Sequence, residues 1–178
     1  MKTILCAWEI GAGFGHAATL KALGDRIRLL AGEANVEVRV VYALSEAIHT
    51  RSLFGDQALL IPAPHLQNPI HLLSHTGSYT DMMTACGFAQ TQTLEALVGA
   101  WESLFELIKP DLIVAEASPA ARLAVPDGVP VLITGNGFYA PPVELKSYPP
   151  LRAGAASSFG EDRVLDIVNT VKRRRGRA

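Results

Sequence analysis

The first sixteen residues constrain the fold more than any other stretch. An apolar run, Thr3-Ile4-Leu5-Cys6-Ala7-Trp8, passes through Glu9-Ile10 into Gly11-Ala12-Gly13-Phe14-Gly15-His16. Behind it Ala17, Leu20, Leu23, Ile27 and Leu30 recur at helical spacing, with Lys21, Asp25, Arg26 and Arg28 largely between them. A strand with no polar alternation, a glycine turn and an amphipathic helix form the first strand-loop-helix unit of a parallel α/β sheet. Ligands of such sheets bind beyond the carboxyl ends of the strands. The loop and His16 therefore fall at the mouth of the expected cleft.

The rest of the chain repeats this grammar. The valine-rich residues 36–44 suit a second buried strand, and Ser45 can cap a short helix through Ile48. Leu59-Leu60-Ile61 is a third strand, closed by Pro62 and Pro64. Residues 62–79 lose periodicity and gather prolines and histidines, the mark of a binding loop. Residues 81–88 read as a short helix. A clear helix then carries Leu94, Leu97, Val98, Trp101, Leu104, Phe105 and Ile108, and stops at Lys109-Pro110. Leu112-Ile113-Val114-Ala115 forms a fourth strand ending at Glu116, and Ser118-Pro119 reads as the cap and first residue of a short helix. Val131-Leu132-Ile133-Thr134 is the fifth strand. The expected architecture is a single-domain, doubly wound parallel sheet of Rossmann-like type. Residues 1–150 make the domain, and 151–178 a C-terminal helix or linker whose amphipathic part, 161–171, leads into a basic tail.

Composition narrows the function classes. The 178 residues are 49% hydrophobic, enough for one substantial core, and the formal net charge of -1 gives no reason to expect nucleic acid or an anionic membrane. Two cysteines do not make a disulfide framework, and Cys6 reads as a small buried hydrophobe. No secretory leader and no span of roughly 20 apolar residues is present, so a soluble, cytoplasmic protein is expected. The terminal Lys172 to Arg177 cluster is read as a solvated helix end.

The glycine loop can turn tightly and offer amides to an oxyanion at the helix start. Its spacing is not that of a dinucleotide loop, because the third glycine comes one residue early, and a P-loop lysine is missing. No acidic residue closes the second strand where a ribose would need one, unless Glu46 reaches. A ligand-free strand-to-helix turn is the plain alternative. His16 can serve as a general base if a carboxylate orients its ring, and Glu116 shares the carboxyl edge with it; a capping histidine and a solvated glutamate are the plain alternative. His71 and His75 have the i, i+4 spacing of a metal clamp, but no cysteine accompanies them, so with His65 they are read as polar pocket lining and no metal site is assigned. Met82, Met83 and Phe88 suit either an apolar acceptor pocket or plain core.

The stretch from Trp8 to His16 resembles the N-terminal signature of bacterial nucleotide-sugar glycosyltransferases of the GT-B fold, in the UDP-glucosyl/glucuronosyltransferase-like group. Lys109 to Glu116 is similar to that family's second landmark, a Pro-Asp strand ending in an acidic residue. Gly128 to Ile133, followed by Gly135-Asn136-Gly137-Phe138, is similar to a third. The resemblance implies that His16 deprotonates an acceptor hydroxyl with Glu116 as its orienting partner, although Glu116 stands where aspartate is usual. It further implies one half of a GT-B fold, the half that binds the acceptor, with contacts from Gly13, Phe14, Gly15, His65, His71, His75, Met82, Met83, Asn136 and Phe138. The UDP-sugar would be a co-substrate held by a donor domain that these 178 residues do not contain; no cofactor is assigned to the chain itself. A separate donor-domain chain becomes one candidate partner beside the small hydroxyl acceptor. The reaction would be an inverting sugar transfer, and the chain alone is expected to be inactive. The competing reading is a non-catalytic Rossmann-like module that holds a nucleotide or phosphate on the glycine loop.

Overall fold

The computed structural model describes residues 1–66, 76–136, 139–140, 142–148, 150–151, 153–155 and 159–176. Five strands form one parallel sheet: β1 (Lys2–Trp8), β2 (Val38–Leu44), β3 (Leu59–Pro62), β4 (Leu112–Glu116) and β5 (Val131–Thr134), in the spatial order β3-β2-β1-β4-β5. The chain builds outward from β1 through β2 to β3, then crosses back to lay β4 on the other side of β1. That reversal opens a crevice between the carboxyl ends of β1 and β4, the place where open α/β sheets hold ligands.

Side-chain alternation along the strands sorts the core into two layers. Ile4, Cys6 and Trp8 of β1 join Val40, Tyr42 and Leu44 of β2 and Val114 of β4 under α1 (Phe14–Glu33). Leu5, Ala7, Val41, Ala43, Ile113 and Ala115 point the other way, under α3 (Thr91–Ile108), α4 (Pro119–Ala124) and α5 (Glu161–Arg174). Both faces of the central strands are covered, which is why they carry unbroken apolar runs.

Helix α3 buries Leu94, Leu97, Val98, Trp101 and Phe105, the face its periodicity marks. It ends at Lys109, whose left-handed backbone (φ 52) closes the last turn through its N–H to the Phe105 carbonyl, before Pro110. Helix α5 packs Val164 and Val171 into the same core, and its basic end does not lie free in solvent: Arg174 pairs with Glu95, and Arg175 with Glu102, both on α3. Helix α2 (Tyr79–Met83) starts at a reciprocal cap between Ser78 and Asp81 and runs on into a π-helical turn at Thr84–Phe88.

Two local expectations are corrected. After Ser45 the chain makes turns and a 3₁₀ segment at Arg51–Leu53 where a short helix was expected. Ser118 precedes α4 without capping it, because its hydroxyl donates back to the Glu116 carbonyl at 2.9 Å. The α4 amides of Ala120 and Ala121 instead donate to the Glu9 carboxyl at 2.9 and 3.2 Å. Among the described residues no helix is long and apolar enough to cross a membrane.

Candidate active site

The register of β1 against β4 sets Trp8 beside Glu116 at the carboxyl edge. Both positions follow the parity of Ile4, Cys6 and Val114, so both side chains belong to the α1 face. His16, in the first turn of α1, reaches over the pair. Its ring stacks on Trp8 with centroids 5.1 Å apart and planes 25° from parallel. Its Nδ1 lies 3.1 Å from Glu116 Oε1. An ionised carboxylate can only accept, so in this contact Nδ1 is the donor, and in the neutral imidazole Nε2 is then left with the lone pair. Nε2 makes no hydrogen bond among the described residues.

Burial sharpens this pair. The His16 and Glu116 side chains are 13% and 6% exposed, so their attraction is only weakly screened. Glu116 Oε2 is buried and accepts no hydrogen bond from any described residue. Gly135 (φ 136) packs against it, where a Cβ would come within 3.4 Å. Tyr139 closes the far side, its ring edge-on to His16 at 5.1 Å. Burial holds the Tyr139 hydroxyl above its ordinary pKa, and the neighbouring Glu116 charge adds to that.

Gly11 explains the glycine loop. Its φ is 101, and a Cβ there would stand 2.6 Å from His16 Nε2. The imidazole thus occupies the space a side chain would need. Gly13 (φ 89) meets nothing within 4 Å, so backbone shape alone favours glycine there. The Gly13 N–H donates to Glu46 Oε2 at 3.1 Å. Glu46 does reach, but as an anchor for the loop, and it brings a negative charge to the place where a phosphate would have to sit.

No protein-family model and no curated protein matches the chain. The chemistry legible in the side chains therefore carries the functional reading.

A cleft of about 670 Å³ opens between α2, α4, α5 and the segment after β5; neither His16 nor Glu116 lines it, and it meets their surroundings at Tyr139. Tyr139 belongs to both the cleft and the His16 surroundings. From it the rings of Tyr79 (6.3 Å away) and then Tyr148 (4.9 Å further) continue as an aromatic wall. Met83 and Phe88 line the cleft, whereas Met82 packs against the core beside it. Phe14 is 52% exposed at the start of α1, next to an exposed Gly15. Asn136 is exposed and turns the chain, its carbonyl accepting the N–H groups of Tyr139 and Ala140. His65 sits beyond β3, two strands from β1, with Nδ1 donating to the Ala63 carbonyl at 2.8 Å; it is not part of the cleft. His71, His75 and Phe138 lie outside the described residues. Among the described residues no cluster of three His, Cys, Asp or Glu side chains can hold a metal ion.

Two further carboxylates shape the site. Glu9 is 4% exposed, and burial pushes its carboxyl up to about 8, against the pull of the Ala121 and Ala120 amides and of Trp101. Its Oε1 stays within reach of the Trp101 indole without completing a hydrogen bond. Glu9 ties the end of β1 to the start of α4 and so fixes the turn after Glu116. Its parity with Leu5 and Ala7 is the sequence signal for this role. Asp81, fully buried, accepts the N–H groups of Gly77 and Ser78 at 2.9 and 3.1 Å, and that of Phe159 at 3.1 Å. It pins the approach to α5 onto α2. Nothing in the order of residues joins positions 81 and 159.

Proposed function

We propose that this chain is the acceptor-binding half of a GT-B-type glycosyltransferase, in which His16 takes the proton from an acceptor hydroxyl as a nucleotide-sugar is attacked. The observation that carries the reading is the bond between His16 Nδ1 and Glu116 Oε1, which leaves Nε2 as the acceptor. Glu116 holds the tautomer and stabilises the imidazolium that forms, while Trp8 and Tyr139 fix the ring. The adjoining cleft is within the usual size of a small-molecule site, roughly 300–1,000 Å³. The nucleotide-sugar belongs to a second domain, on this polypeptide or on another, because a parallel sheet with one switch-point crevice offers a single site for both reactants.

The Glu46 carboxylate on the Gly13 amide speaks against the competing reading of a phosphate-holding module.

Two measurements test the proposal. In the enzyme assembled with its donor domain, His16→Asn should lower kcat by about 10²- to 10⁴-fold, the usual worth of a general base. Glu116→Gln should also lower kcat far more than it raises KM, because the wrong tautomer is held. Calorimetry on the chain by itself should show no tight binding of UDP. Micromolar or tighter UDP binding here, or unchanged turnover in the His16 variant, overturns the reading.

A further inference from the structure

The cleft that meets the His16–Glu116 pair at Tyr139 is not uniformly apolar. Met83, Phe88, Ile133 and Val164 give it greasy walls, and Arg122, from the last turn of α4, also lines it. Three arginines among the described residues are paired with carboxylates: Arg28 with Asp25, Arg174 with Glu95 and Arg175 with Glu102. The Arg122 guanidinium has no ion pair and no hydrogen bond among the described residues. Its charge nevertheless acts on the hydroxyls of both Tyr79 and Tyr148, opposing the rise that burial imposes on each. The cation therefore stands near two phenols at the end of the aromatic wall that begins at His16.

Lys146 is a second cation lining the cleft, and it too has no ion pair among the described residues. Glu161 is the carboxylate there, and its Oε1 already accepts the Tyr148 N–H at 2.6 Å. Two cations against one engaged carboxylate leave an excess of one positive charge. Both cations are exposed, so water screens much of their charge, but the guanidinium fork still matches a carboxylate with two parallel hydrogen bonds.

We propose that the cleft takes an amphipathic hydroxy-carboxylate, an apolar body with its carboxylate end at Arg122 and its hydroxyl end at Tyr139, reaching past that ring toward His16. The orientation rests on the reading of His16 as the base. The selectivity for a monoanion rests on Arg122 and the net charge of the lining alone. The rings of Tyr139, Tyr79 and Tyr148 pack in sequence along the cleft and give the apolar body of the ligand an aromatic wall.

The test compares ω-hydroxydodecanoate with its uncharged methyl ester by calorimetry at low salt, on the chain as it stands and with no sugar donor present. The acid should bind about two- to fivefold more tightly than the ester, as expected for an exposed ion pair. Arg122→Gln should bring the acid down to the affinity of the ester, and Lys146→Gln should have a smaller effect. Equal binding of acid and ester, a preference that survives Arg122→Gln, or no binding of either compound overturns the proposal. Because no donor is involved, the outcomes separate from those of the preceding section. A charge preference in a protein that never transfers sugar sinks only the enzymatic reading, and transfer to neutral and anionic acceptors alike sinks only this one.

Discussion

Gly11 and Gly13 both have a positive φ, 101 and 89, yet they constrain the protein differently. An L-residue at either position pays the strain of that region, of order 1–3 kcal/mol. Only at Gly11 does the new Cβ also meet the imidazole, 2.6 Å from Nε2. Gly13→Ala should therefore lower Tm while leaving the downfield Nδ1–H resonance of His16 in place. Gly11→Ala should lower Tm by at least as much and abolish that resonance, because the ring must leave Glu116. Retention of the signal in Gly11→Ala is the result that would count against the packing described here. Ala117 shows the same economy at the next strand end. It is buried with φ 43, and its carbonyl accepts the Ile10 N–H at 2.9 Å, so a strained turn holds the ends of β1 and β4 together.

Among the elements, α1 carries a glycine in mid-helix. Gly24 ordinarily costs a helix about 1 kcal/mol relative to alanine. Here a Cβ would stand 2.1 Å from the Tyr42 hydroxyl and 2.9 Å from Cζ, and Tyr42 is only 1% exposed, with Arg28 donating to its oxygen at 3.3 Å. The close approach of α1 to β2 outweighs helix propensity. Gly24→Ala should thus destabilise the protein by about 1–3 kcal/mol, as overpacking does, against the direction propensity predicts. Urea denaturation measures it, and adding Tyr42→Phe should recover part of the loss. A more stable Gly24→Ala protein would show that the helix can shift outward freely.

Across the whole molecule, one buried carboxyl links stability to pH. Glu9 ionises near 4.5 in an unfolded chain and is pushed up to about 8 in the fold, with burial as the main cause. Between those values the native state holds one more proton than the unfolded state. The stability it contributes is complete below about 4.5 and is lost as pH rises to about 8. The slope approaches about 1.4 kcal/mol per pH unit at its steepest. Glu9→Gln keeps an oxygen for the Ala120 and Ala121 amides and removes the titration. Its Tm should fall less than that of the parent between mildly acidic and mildly alkaline buffer, and should exceed it at the alkaline end. Parallel Tm profiles for the two proteins would rule Glu9 out as the source.

Much of the architecture was legible because it rests on local patterns. Unbroken apolar runs marked β1 and β4 and a valine-rich run marked β2 as buried strands, and three-four spacing marked α3. Strand ends facing one crevice also follow from parallelism, so His16 and Glu116 could be paired before any coordinates. The contact itself could not, since it depends on β4 returning to lie beside β1 with Trp8 against Glu116. Turn chemistry failed where a distant group competed: the Glu9 carboxyl, just past β1, took the amides of α4, and the Ser118 hydroxyl turned back to the Glu116 carbonyl. Tyr139 and Arg122 had no signal at all, because an irregular segment or a short helix has no period to read, and Asp81 showed only its capping spacing from Ser78, not its reach to residue 159. Periodicity and backbone stereochemistry act between near neighbours, so the order of residues determined the layers and the mouth of the crevice. Packing acts between residues that only the crossover brings together, so the tertiary structure alone decided what lines that crevice and which charge in it was left unpaired.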